Sequence, residues 1–227
     1  MNTFFATNIR WFIITMFLTV LCLAPGAEGG RATLEEVVAH VQAKYDETQD
    51  LHARFVQKAV VRSMNQTIIE EGTVYFKKPR RMLWDYTAPS EKKLVINPET
   101  AWLYMPEDNL AYIQDTETLL SSKMTIRFLA GIGELREDFH IAFHPEHEVD
   151  EKGNYRLSLT PRTGDMGIDT LFMTIDKDSF LVISFSFTDI VGNTTALTFT
   201  KMNTNTGLSD SLFVFTPPAG VEIFEVP

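Results

Sequence analysis

Thr73-Val74-Tyr75-Phe76-Lys77-Lys78-Pro79-Arg80-Arg81-Met82-Leu83-Trp84-Asp85-Tyr86 holds two strands and the turn between them. Val74, Tyr75 and Phe76, then Met82, Leu83, Trp84 and Tyr86, are β-branched, aromatic or long apolar residues, and Lys78-Pro79 is turn chemistry. Both strands are apolar on both faces: Val74 and Phe76 alternate with Tyr75, and Leu83 alternates with Met82, Trp84 and Tyr86. A sheet with one wet face reads apolar/polar instead. Two architectures satisfy the pattern. One is a curled sheet with helices tucked into its concave side, the other a closed barrel around an apolar ligand.

The same period continues outward. Lys93-Leu94-Val95-Ile96 and Ala101-Trp102-Leu103-Tyr104 follow, separated by Ala88-Pro89, Asn97-Pro98 and Pro106-Glu107-Asp108-Asn109. Further runs are Phe139 to Phe143, Tyr155 to Thr160, Leu171 to Asp176, Leu181 to Thr188 and Thr194 to Thr200, with a hairpin turn at Asp189 to Asn193. Phe213-Val214-Phe215 and Val221 to Val226 close the chain. About ten or eleven strands result, at hairpin spacing, so an antiparallel meander is expected. Two helical stretches accompany them. Thr33 and Glu36 form a capping box ahead of Leu34, Val37, Val38, Val41 and Tyr45, a single apolar stripe. Leu120, Met124, Phe128 and Ile132 recur every fourth residue, with Ser121 and Ser122 as caps and Gly131 and Gly133 as the stop. The expected class is mainly β with α (α+β), in one domain.

Ahead of that domain, Asn8-Ile9-Arg10, the uncharged run Trp11 to Leu23 and Ala24-Pro25-Gly26 follow the order of a secretory signal peptide. Residues 1–26 are therefore expected to be the signal and residues 27–227 the folded domain. Cys22, the one cysteine, falls inside the signal. A lipid-modified cysteine normally follows a small residue, and here Leu21 precedes it, so a soluble exported protein is expected. A net charge of −10 argues against nucleic acid and anionic membrane surfaces as partners.

Catalytic signatures such as Gly-x-Ser-x-Gly, His-Glu-x-x-His or a Walker loop do not occur. His140, His144 and His147 could place three imidazoles around a zinc ion, or could simply be histidines at a strand edge running into a loop. Glu70-Glu71, Glu107-Asp108 and Asp176-Asp178 fall at strand ends or turns and read as solvated acids rather than a hydrolase pair. No enzyme, metal or cofactor is expected. The basic run Lys77-Lys78-Pro79-Arg80-Arg81 is a solvated turn, or else a latch whose cations donate to carbonyls at exposed helix ends. The aromatic set Trp84, Tyr86, Trp102, Tyr104 and Tyr112 is core by default, though its density is unusual for core packing alone.

Phe76 to Tyr86, then Pro89, Trp102 to Glu107 and Phe213 to Val221 resemble the periplasmic outer-membrane lipoprotein carriers, the LolA family. Leu51 to Gln57 and the Asp189 to Asn193 hairpin resemble it too. The resemblance implies an unclosed half-barrel with helices as a lid over its hydrophobic concave face. It implies a carrier that receives acylated lipoproteins from an inner-membrane ABC transporter release complex. The carrier would shield their acyl chains across the periplasm and pass them to an outer-membrane lipoprotein receptor, working as a monomer without cofactor or nucleotide. The membrane-anchored receptor of the same fold is the alternative, and a secreted hydrolase or metal-binding β protein a more distant one. Val74 and Phe76 are assigned to the cavity by parity with Lys78. Met82 and Trp84 follow by resemblance, and Leu94 and Trp102 are added as further candidates. From the lid, Met124, Phe128, Leu129 and Ile132 complete the set. The family's latch is an arginine before the proline; here Lys78 stands there, with Arg80 and Arg81 as possible helpers.

Overall fold

A computed structural model of the chain describes residues 31–122, 135–163 and 167–226. Met1–Arg31 and Ala32–Pro227 separate as two units. The second unit opens with helix α1, Leu34–Glu47. The capping box forms as its spacing predicts: Thr33 Oγ1 accepts from the Glu36 amide at 3.3 Å, and the Glu36 carboxylate accepts from the Thr33 amide at 2.8 Å. Val37, Val38 and Val41 form the buried stripe.

The described strands form one twelve-stranded sheet. The first meander is β1 (Asp50–Val61), β2 (Gln66–Lys77), β3 (Arg81–Ala88), β4 (Lys92–Ile96), β5 (Thr100–Met105) and β6 (Leu110–Asp115). Helix α2 (Thr116–Ser122) and the single turn α3 (Leu135–Asp138) precede the second meander. That meander is β7 (Phe139–Phe143), β8 (Tyr155–Pro161), β9 (Ile168–Ile175), β10 (Val182–Asp189) and β11 (Thr194–Thr204). The spatial order is β12-β6-β5-β4-β3-β2-β1-β11-β10-β9-β8-β7, where β12 is Glu222–Glu225. Pairing of β1 with β11 joins the two meanders, and β7 and β12 remain as edges, so the sheet is not closed.

The expectation needs two corrections. The sheet has twelve strands, and it is not wholly antiparallel, because β12 returns beside β6 in parallel. The full lengths of β1 and β2 and the whole of β6 were not legible as strands. Polar Gln57 and Lys58 in β1 and Glu70 and Glu71 in β2 interrupt the apolar pattern, yet the two strands pair without a break from Asp50↔Lys77 to Val61↔Gln66. Gly72 is required on that hairpin: a Cβ there would stand 2.2 Å from the carbonyl oxygen of Asp85.

The sheet curls around α1. A cavity beside Val41 is bounded by Trp84 of β3 and Val182 of β10. Those strands lie four positions apart, about 19 Å in a flat sheet and wider than one helix. The outer face has its own cover. Phe213, at the end of a 3₁₀ turn spanning Asp210–Phe213, packs on Leu83 and Val95. The Asp50 carboxylate holds the approach to that segment, accepting from the amides of Thr206 (2.7 Å), Gly207 (2.9 Å) and Leu208 (3.2 Å).

Candidate functional site

Register decides what reaches the concave face. Phe76 lies opposite Met82, and Val74 opposite both Ala53 and Trp84. Met82 then pairs with Ile96, and Trp84 with Leu94. Five of the residues expected in the cavity, Val74, Phe76, Met82, Trp84 and Leu94, thus share one face and one apolar cluster with the α1 valines. Met82 is fully buried and Trp84 only 5% exposed. The Phe55 ring meets Trp84 edge-on at 4.8 Å and Tyr86 at 5.0 Å. Between α1 and this floor lies a cavity of about 110 Å³, lined by Val41, Phe76, Met82, Trp84 and, from the other side, Phe180 and Phe199.

Sequence reasoning missed the second half of the trough. Phe143, Leu157, Met173, Phe185 and Leu197 run across β7 to β11 in register and join the same cluster. The alternation in Leu197-Thr198-Phe199 was the available signal. Phe180 has no such signal, since it sits in a turn with φ of 56° and stacks on His40 of α1 at 4.5 Å.

Trp102 is a correction. It pairs with Val95, which pairs with Leu83, and all three face outward. Its ring centroid lies 5.4 Å from that of Phe215, under the C-terminal segment. The side chain is one residue out of phase with Leu103, the neighbour of Leu94, and one residue reverses the face. The aromatic set divides accordingly: Trp84 and Tyr86 inward, Trp102 and Tyr104 against Phe215, Tyr112 against Phe224.

The basic turn divides three ways. Lys78 Nζ donates to the main-chain oxygens of Tyr45 (2.7 Å) and Asp46 (3.1 Å) in the last turn of α1, the Tyr45 oxygen also accepting from the Thr48 amide at 3.2 Å. Burial pushes the Tyr45 hydroxyl well above the usual phenol range. Arg80 forms an ion pair with Glu117 in the first turn of α2. Arg81 lies elsewhere, donating to the Pro79 carbonyl at 3.3 Å and standing 3.7 Å from Asp210 on the C-terminal segment.

Helix α2 starts at Thr116, with the Asp115 carboxylate capping it by accepting from the Thr118 amide at 3.0 Å. Met124, Phe128, Leu129 and Ile132 lie outside the described residues. The three histidines do not assemble: His140 is exposed on the edge strand β7, the His144 ring lies 4.9 Å from Phe172, and burial lowers the pKa of His144. Among the described residues no three His, Cys, Asp or Glu side chains converge as metal ligands. Asp176 is a turn acid, accepting from the hydroxyl (2.7 Å) and amide (2.8 Å) of Ser179. No described helix is long and apolar enough to cross a membrane.

Comparison with known proteins points one way. The family described as "Outer membrane lipoprotein carrier protein LolA" matches residues 46–216. An outer-membrane lipoprotein carrier protein of Pseudomonas aeruginosa is 28% identical over 209 residues, covering 92% of this chain and 97% of that one. Another from Hahella chejuensis is 28% identical over 173 residues, 75% of this chain and 79% of its own. Among solved structures, an uncharacterized conserved protein from Thermus thermophilus aligns at a TM-score of 0.54 and 13% identity, over 85% of this chain and 98% of that one. That last likeness shows the fold.

Proposed function

The chain belongs to the LolA family of outer-membrane lipoprotein carriers, and from that premise we propose that it shelters the acyl chains of lipoproteins between α1 and the concave sheet. Its work is transport, with lipoproteins as cargo. The observation that carries this reading is the cluster of apolar residues that floors the sheet under a helix tied down at its end by one lysine. Val74, Phe76, Met82, Trp84 and Leu94 are the floor residues proposed to touch acyl chains; Met124, Phe128 and Ile132 are proposed as lid residues on their fourfold spacing, with Leu129 next to Phe128. The setting is the periplasm, reached through a signal in residues 1–26. An inner-membrane ABC transporter complex supplies the cargo and an outer-membrane receptor accepts it.

The thermodynamic demand is twofold. Burying a sixteen-carbon chain is worth on the order of 10 kcal/mol, at about 0.8 kcal/mol per methylene. A carrier must bind that strongly and still release. A lid whose apolar stripe occupies the trough meets both needs, because cargo has to displace it, and the displacement offsets part of the binding energy. Lys78, and Arg80 through Glu117, are proposed to favour the lid-down state. The membrane-anchored receptor and the hydrolase or metal-binding readings have no observation in their favour.

Native mass spectrometry of the protein isolated from cells tests the proposal. Co-purifying acylated polypeptide supports it. A preparation free of lipid, with no uptake of lipoprotein from membrane vesicles bearing a release complex, overturns it.

A further inference from the structure

The concave face of β1 to β4 is not apolar throughout. One register row beyond Phe55 and Gly72, Gln57 lies opposite Glu70. Gln57 Nε2 donates to one Glu70 carboxylate oxygen at 2.8 Å, and the Lys92 ammonium pairs with the other. The same ammonium stands 4.2 Å from the centre of the Tyr86 ring, which forms a T-shaped pair with Phe55. The Glu70 side chain is only 16% exposed and that of Lys92 27%. Unbroken β1–β2 pairing gives Glu70 the same parity as Gly72, Val74 and Phe76, so the carboxylate lies on the trough floor. Its neighbour Ile69 points the other way and is 53% exposed. The two residues are thus placed against the ordinary rule, charge inward and aliphatic outward, where exchanging them would restore it.

We propose that the Glu70–Lys92 pair, with Gln57, is an end wall that sets how long an acyl tail the β1–β4 half of the trough accepts. The inference rests on the carrier reading and adds a length selectivity to it. A half-buried ion pair is no better for stability than apolar residues of similar volume, so its place in a greasy floor calls for another reason. Methylenes pressed against it would strip water from both charges without replacing the lost hydrogen bonds. A tail therefore gains affinity along Phe76, Val74 and Gly72 and stops gaining at Glu70, six residues along β2 and about 20 Å from the latch end.

The test is affinity for a homologous series of dansylated saturated fatty acids, lengthened by two methylenes at a time. For the natural protein, affinity should rise about fourfold per methylene and then level off. Glu70→Met with Lys92→Met should keep rising for several methylenes beyond that length. Glu70→Lys with Lys92→Glu preserves a charged wall and should level off where the natural protein does. Should the double methionine variant fold poorly by circular dichroism, Glu70→Gln with Lys92→Gln removes the charges at nearly constant shape and is read in the same way. Identical levelling lengths in neutral and charged proteins overturn the wall and leave the carrier intact. A natural protein that binds no member of the series overturns the carrier reading and the wall with it.

Discussion

Lys78 grips Tyr45 twice: its ammonium donates to the Tyr45 main-chain oxygen at 2.7 Å and lies 4.8 Å from the centre of that residue's ring. The tip of the β2–β3 hairpin is thereby fastened to the last turn of the helix that roofs the trough. A helix end offers carbonyls with acceptor capacity to spare and the negative pole of its dipole, so a cation there meets both.

Replacing Lys78 by leucine removes those donors, and stability should fall by about 1 kcal/mol in thermal melts. The variant should still take up lipoprotein but pass it poorly to an acceptor membrane, and Lys78→Arg should restore transfer. Normal transfer by the leucine variant would show that reclosure does not depend on this contact.

The two tryptophans should separate cleanly. Trp84→Ala opens a core cavity, costs about 3–5 kcal/mol, and should weaken acyl-probe binding. Trp102→Ala should lower the melting temperature while leaving probe affinity unchanged, because its ring packs against Phe215 on the opposite face. Fluorescence titration beside calorimetry distinguishes the two.

Asp50 links stability to acidity. Burial raises its pKa, but the amides of Thr206, Gly207 and Leu208 and the Thr206 hydroxyl outweigh burial and leave it below the ordinary value. A carboxylate with a depressed folded pKa contributes stability above its unfolded pKa of about 4, and that contribution is lost as pH falls through the folded value. The melting temperature should therefore drop on acidification below about pH 4. Asp50→Asn should be less stable at neutral pH by about 1–3 kcal/mol and show a shallower acid dependence.

At Gly72 the room is missing altogether. Alanine there would drive its Cβ against the Asp85 carbonyl and to 2.9 Å from the Phe55 ring. Destabilisation of about 1–3 kcal/mol is expected, read from urea unfolding. An unchanged midpoint would mean that β2 and β3 part more easily than their pairing implies.

Much of this molecule was legible locally. Thr33 and Glu36 announce the start of α1, and Val37, Val38 and Val41 give its buried side. The Lys78-Pro79 turn and the flanking apolar runs give the β2–β3 hairpin. Glu70 shows the limit of such reading: as part of Glu70-Glu71 it looks like a solvated acid, yet it faces inward and pairs with Lys92. That partner lies on β4, too far along the chain for any local pattern to connect them.

By itself the sequence determined the periods, the caps, the turns and the demand that both faces of the central strands be covered, since these depend on neighbours within a few residues. Beyond β2 and β3, tertiary structure alone decided which parity faces the trough. It turned Trp102 outward, returned β12 in parallel beside β6, and sent Lys78, Arg80 and Arg81 to three different partners. The reason is physical: successive strand residues point to opposite faces, so a side chain's surroundings follow from pairing register and from segments distant in the chain.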